Sequence, residues 1–195
     1  MAAITHGYRD LLQHRGDDPA TTVVCSLVPV SVRGHDDRGV PDNRVSALLL
    51  DLPVGIVDPL ERLAAVKDAM AGLKGSHMAD AGELVTDISN LAPPAVVGAI
   101  TRLGLRAQHL ATQRSINTVT TNVPGPQFPL YCLGREMLEY LPFVPISYGL
   151  RVGTAILSYN GALAFGVTGD WDSAKDIDVL ADGIRAGIEE LSAAL

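Results

Sequence analysis

Histidine, cysteine and clustered acids are the residues of this chain most able to do chemistry, and their spacing assembles no reactive centre. His6, His14 and His109 fall on helical patterns, and His35 and His77 fall in loops. None is adjacent to another or spaced for a metal, so solvated or packed imidazole is the reading for each. Cys25 and Cys132 both sit in apolar, strand-like contexts. That predicts two small buried thiols rather than a disulfide or a metal pair. No G-x-S-x-G elbow, phosphate-binding glycine loop, H-E-x-x-H or Cys/His array is present. "DWDSAKDID" (170–178) gathers four acids, but a calcium loop needs further oxygen ligands, a sharp-turn glycine and a distal glutamate. Ala174, Lys175 and Ala181 stand in those places. The acids are better read as complementing a helix N-terminus.

Chemistry could instead be shaped by the backbone. In "SINTVTTNVPGP" (115–126), Asn117, Val119, Thr121 and Val123 share one strand face, and Ile116, Thr118, Thr120 and Asn122 the other. Pro124 and Pro126 cannot extend a ladder, and Gly125 brings no side chain. Two readings stay open. The segment is a strand terminator with a rigid turn, or it is a cleft rim where an extended ligand passes a bare backbone. Ser31 and Arg33 pose a similar choice in "VPVSVR" (28–33). They alternate on one face at a strand end, which suits either a cleft or solvent.

The elements that must position these residues can be read from periodicity. The N-terminal stretch predicts an amphipathic helix with Ile4, Tyr8, Leu11 and Leu12 on one face, closed by Gly16. No capping side chain precedes it, which suggests an absent upstream segment. Strands are expected over 21–33 and 43–54, with a polar loop between them. Residues 58–75 predict a helix capped by Asp58, with Pro59 at its first turn and a stripe of Leu60, Leu63, Ala64, Val66, Met70 and Leu73. Two helices split by Pro93-Pro94 are expected over 80–113, then a strand over 115–123 and an irregular, interrupted strand over 129–147. Asn160-Gly161 between apolar arms predicts a two-residue hairpin. A closing helix over 173–195 carries Ile177, Leu180, Ile184, Ile188 and Leu191 and a Ser173/Asp176 capping box.

These elements in mixed order give an α/β domain whose mixed, partly antiparallel sheet has about six strands with flanking helices. The 195 residues suit one large domain. Apolar residues at 47% and charged ones at 19% exclude a disordered tail. A net charge of −7 argues against nucleic acid, which needs a basic surface. No apolar run approaches the roughly 20 residues of a membrane-spanning helix, and residues 1–18 read as an amphipathic helix rather than a signal peptide. The cytoplasm is the expected compartment.

Several stretches in this order resemble the C-terminal half of the bacterial wax ester synthase/diacylglycerol acyltransferase family. They are "VPVSVR", "NRVSALLLDLPVGIVDPLERLAAVKDAM", "TTNVPGPQFPLYCLGREMLEYLPFVPIS" and "LSYNGALAFGVTGDWDSAKDIDVLADGI". Asn-Val-Pro-Gly-Pro followed by Pro-Leu-Tyr, with Ser-Tyr-Asn-Gly downstream, is the specific part. The resemblance implies half of a chloramphenicol-acetyltransferase-like fold, in which two α/β domains face each other across a tunnel. It also implies acyl-CoA as co-substrate, no bound cofactor or metal, and triacylglycerol or wax ester as product.

The family's catalytic motif, H-H-x-x-x-D-G, belongs to an N-terminal domain, and its second histidine is the general base. This sequence contains no His-His pair. The expectation is therefore that residues 1–195 form the C-terminal domain of a two-domain enzyme, inactive without its N-terminal partner. Carried over by position, Asn122, Val123, Pro124, Gly125 and Pro126 form a tunnel wall near the acyl or CoA path. Asn117 and Thr121 are adjacent candidates, Ser31 and Arg33 match a family pattern, and no residue is assigned a catalytic role. Attachment at a membrane or lipid inclusion is implied by the resemblance alone. The alternatives are a non-catalytic acyl- or CoA-binding module and a dimerisation domain, the latter as a homodimer.

Overall fold

The computed structural model describes residues 1–31, 45–75, 116–146 and 149–195. In chain order the described elements are helix α1 (Ala2–Arg15), strands β1 (Val24–Ser31) and β2 (Val45–Leu52), and helix α2 (Pro59–Gly75). Strands β3 (Thr118–Pro124), β4 (Tyr131–Cys132), β5 (Arg135–Glu136), β6 (Val152–Tyr159) and β7 (Ala162–Gly169) follow, then helix α3 (Ile177–Ala194). The loop over 34–42 and the helices expected over 80–113 lie outside the described residues.

Five strands form one sheet in the order β2-β1-β3-β6-β7, and β4 and β5 form a separate ribbon. The outer pairs β1–β2 and β6–β7 are antiparallel, and the inner pairs β1–β3 and β3–β6 are parallel. This is the mixed, partly antiparallel sheet expected, with five strands among the described residues.

Period-two alternation sends Val24, Val28, Leu50, Leu52, Val152 and Ile156 to one face of the sheet. There they meet Ile4, Tyr8, Leu11 and Leu12 of α1 and Leu180 and Ile184 of α3. The opposite face carries a smaller cluster of Val119, Ala155 and Val144. Hydroxyls run through the first face: Tyr8 donates to Thr118 Oγ1 at 2.6 Å, and Ser26 donates to Thr120 Oγ1 at 2.9 Å.

Helices α1 and α3 cross at glycines, a feature the apolar spacing does not show. A Cβ on Gly7 would lie 2.7 Å from the Leu180 carbonyl oxygen, and one on Gly183 would lie 2.7 Å from Gly7 Cα. Only hydrogen at these positions lets the backbones approach so closely. Gly183 and Gly187 are buried with Leu180 and Ile184, whereas Ile188, expected on that face, is 39% exposed.

Three further expectations are corrected. Asp58 does cap α2, accepting the Leu60 and Glu61 N–H groups at 2.9 Å each. The inner face of α2, however, holds Val66 and a fully buried Arg62, while Leu60, Leu63 and Ala64 face outward. Arg62 can be buried because its guanidinium donates to the Val57 carbonyl and to Glu190 of α3, each at 3.0 Å. Helix α3 starts at Ile177 without a capping box. Ser173 gives its N–H and hydroxyl to Asp170, and Asp176 forms a two-pronged pair with Arg15 at 2.6 Å. Among the described residues, 129–146 make no single interrupted strand. They form the β4–β5 ribbon and then a cover whose Val144 packs on Val119.

The hairpin is as expected. Asn160 and Gly161 both take positive φ, 45° and 82°, the condition for a two-residue turn whose twist matches its strands.

Candidate functional site

The parallel strands β1 and β3 pair only at Ser26↔Thr118 and Leu27↔Val119. Beyond that point, among the described residues, β1 runs on to Ser31 beside β2 and β3 runs on to Pro124 beside β6. The sheet is therefore split at the carboxyl ends of two adjacent parallel strands. Such ends are where open α/β sheets take their ligands. The Ser26–Thr120 hydroxyl bond at 2.9 Å closes the base of the split.

The Thr121–Pro126 segment forms one lip. Thr121 is half-buried and Val123 is 52% exposed, both on the sheet face of Val119. Asn122 points to the other face, exposed, as is Pro124. Gly125 and Pro126 are half-buried against the β6–β7 hairpin. The segment keeps its register with β6 as far as Pro124↔Ser158. A Cβ on Gly125 would collide with the Ser158 carbonyl oxygen. The glycine is thus demanded by a neighbouring strand.

The other lip is β1. Ser31 is its last residue, paired with Val45. Arg33 lies outside the described residues. Asn117 does a different job, at the root of the split. Its Oδ1 accepts the Cys25 N–H at 2.7 Å, and its own N–H donates to the Cys25 carbonyl at 2.9 Å. It splices β3 to β1 while remaining exposed.

Two residues here escape sequence reading, Gln127 and Ser158. The Gln127 amide donates to the Gly125 carbonyl at 2.9 Å and to Ser158 Oγ at 3.0 Å, and accepts the Gly161 N–H at 3.0 Å. Neither residue type nor spacing signals this, because the partners lie about thirty residues apart in the chain.

Burial, helped by the Asp51 carboxylate beside it, pushes the Cys25 thiol up to about 11, which removes it from thiolate chemistry. Cys132 is a correction: it is free and exposed on the β4–β5 ribbon, because the ribbon packs too little of its own chain to cover it. His6 lies between Asp10 and Glu190, 3.4 Å from each, on the helical side. Among the described residues no group of three His, Cys, Asp or Glu side chains is placed to hold a metal.

A family model described as the WS/DGAT C-terminal domain matches residues 42–192. The chain belongs to that family. As a WS/DGAT C-terminal domain it is 38% identical over 193 residues to a Mycobacterium tuberculosis protein named "Probable diacyglycerol O-acyltransferase tgs1". That match takes in 99% of this chain and 41% of the relative, so the domain spans about two fifths of the relative's length. Its fold matches the wax ester synthase/diacylglycerol acyltransferase from Marinobacter aquaeolei VT8 with a TM-score of 0.67 at 22% identity, over 99% of this chain and 42% of that one. The first condensation domain of the CDA synthetase matches with a TM-score of 0.54 at 17% identity, over 97% of this chain and 39% of that one. These two likenesses concern the fold alone, the α/β arrangement with a mixed sheet expected from the sequence.

Proposed function

We propose that this WS/DGAT C-terminal domain is the tunnel-wall half of an acyl-CoA-dependent O-acyltransferase making triacylglycerol or wax esters. The observation that carries the reading is the family match over residues 42–192, which contains the Thr121–Pro126 lip. On this reading acyl-CoA and a diacylglycerol or long-chain alcohol meet beside the split. Thr121, Asn122, Val123, Pro124, Gly125 and Pro126 shape one side, and the end of β1 at Ser31 borders the other. Asn117 acts through the fold by holding the two strands together. None of these side chains is a base, so the domain contributes orientation, and an N-terminal domain bearing H-H-x-x-x-D-G removes the proton.

The surface supports a covering partner. Val123, Tyr131, Leu138 and Phe143 are 52%, 63%, 81% and 74% exposed, and Leu133 is 99% exposed. A soluble domain seldom leaves so much apolar area uncovered. Leu133 also holds a left-handed backbone, φ 51°, at the tip of the ribbon. The ribbon's root is fixed by Tyr159, whose hydroxyl accepts the Leu130 N–H and donates to the Met137 carbonyl, both at 2.8 Å. A firmly rooted finger with an oily tip suits insertion into the other half of the enzyme. No described helix is long and apolar enough to cross a membrane. Peripheral attachment to a membrane or lipid inclusion suits the proposed substrates.

Mixing this chain with a separately expressed H-H-x-x-x-D-G half tests the reading. Acyl transfer from a long-chain acyl-CoA to a long-chain alcohol or diacylglycerol is expected from the mixture and not from either half. Turnover by this chain alone overturns it. A stable but inactive complex, with acyl-CoA bound by this chain, favours a non-catalytic binding module instead.

A further inference from the structure

We infer that Gln127 and Ser158 are positioning residues, locking the Asn122–Pro126 lip onto the Asn160-Gly161 turn and so fixing where the wall stands beside the split. The effect on substrate choice rests on the acyltransferase reading; the lock itself does not.

Backbone pairing with β6 holds this lip only as far as Pro124↔Ser158. Pro124 and Pro126 have no N–H to donate, so the ladder loses its donors there. Side chains replace them. The Gly125 N–H turns to Ser158 Oγ at 3.3 Å, and the Pro126 carbonyl accepts the Asn160 N–H at 3.0 Å. Gln127 then bridges both sides. Its Nε2 serves the Gly125 carbonyl and Ser158 Oγ, and its Oε1 takes the Gly161 N–H. An exposed glutamine ordinarily keeps its rotamer freedom, and fixing it costs conformational entropy. Here one exposed side chain is held at three points, all of them on the lip or the hairpin. Gly125 adds the steric half of the lock, since it abuts the Ser158 carbonyl with no room for a methyl. The position of Val123, two residues upstream, follows from where Gly125 is pinned.

Amide hydrogen exchange on the 195-residue chain tests the lock. Gln127→Ala should speed exchange at Gly125 and Gly161 roughly five- to tenfold, with Leu157 in the adjacent strand unchanged. Ser158→Ala should do the same at Gly125. Gln127→Glu keeps an acceptor for the Gly161 N–H and should leave Gly161 protected, an outcome that general loosening would not give. Unchanged exchange in both alanine variants overturns the lock.

In the two-part enzyme, Gln127→Ala should change the kcat/KM ratio between a long and a short acyl-CoA by roughly threefold or more. Faster exchange with an unaltered ratio overturns the link to substrate choice. No turnover from the wild-type mixture overturns the acyltransferase reading instead, and exchange still decides the lock.

Discussion

The hydroxyl of Tyr8, on the first helix, donates to Thr118 Oγ1 across 2.6 Å, and Thr118 passes its own proton to the Val152 carbonyl at 2.9 Å. One chain of hydrogen bonds thus ties α1 to β3 and β6 in the middle of the buried face. Burial pushes the Tyr8 phenol up to about 12, outweighing the hydroxyl contacts that would lower it.

Tyr8→Phe should cost about 1 kcal/mol at neutral pH, the net worth of one buried hydrogen bond. The wild type should also show an alkaline weakness. A phenol whose pKa rises on folding gives stability that is complete below pH 10 and drains away as pH climbs toward 12. Urea unfolding at pH 8 and pH 11 should show a smaller alkaline loss in Tyr8→Phe.

Gly183→Ala should destabilise the protein by about 1–3 kcal/mol, although alanine is the better helix former by about 1 kcal/mol. Its Cβ would meet Gly7 Cα at 2.7 Å and the Asp10 carboxylate at 2.8 Å. Gly72→Ala on α2 is the control. Nothing lies within 4 Å of a Cβ there, so it should stabilise by about 0.5–1 kcal/mol. Thermal or urea melts of the pair separate crowding from propensity.

Gly125→Ala should push the end of β3 away from β6, because the obstacle is the Ser158 carbonyl and not a side chain that could swing aside. The expected outcome is a loss of about 1–3 kcal/mol in stability and a larger fractional loss of acyl transfer in the two-part enzyme. Equal activity in Gly125→Ala and wild type would remove the lip from the reaction.

Asp176 and Arg15 join the start of α3 to the end of α1 through two bonds of 2.6 Å. The guanidinium holds the Asp176 carboxyl below its usual range. That contribution is present above the ordinary carboxylate pKa and is lost as pH falls through the lowered one. Arg15 is 40% exposed, so Asp176→Asn should cost no more than about 1 kcal/mol at pH 7 and nothing once the wild-type carboxyl is protonated. Denaturation as a function of pH between neutrality and acid checks both statements.

What the sequence disclosed was what short range decides. Asn160-Gly161 announced the hairpin because positive φ is a local demand, and Ile4, Tyr8, Leu11 and Leu12 announced the buried side of α1. Period two sorted Val119 and Thr118 onto the correct faces of β3. Where a partner far along the chain decides, the reading failed. Arg62 is buried because Glu190 and two carbonyls meet it, and Leu63 faces solvent in its stead. Gly183 and Gly187 fall outside the apolar stripe of their helix, yet they are the contact. The Pro-Gly-Pro segment stood out in composition, but Gln127 and Ser158, which hold it, are ordinary residues given meaning only by the turn beside them.

The early parting of β1 from β3 has a consequence for what can lie between them. Past Leu27 and Val119, the peptide groups of each strand that turn toward the other find no mate among the described residues of the sheet. A bare alkyl chain threaded there would strand those amides and carbonyls dry, at a few kcal/mol apiece. Any guest of that seam must therefore arrive with water, or with polar atoms of its own.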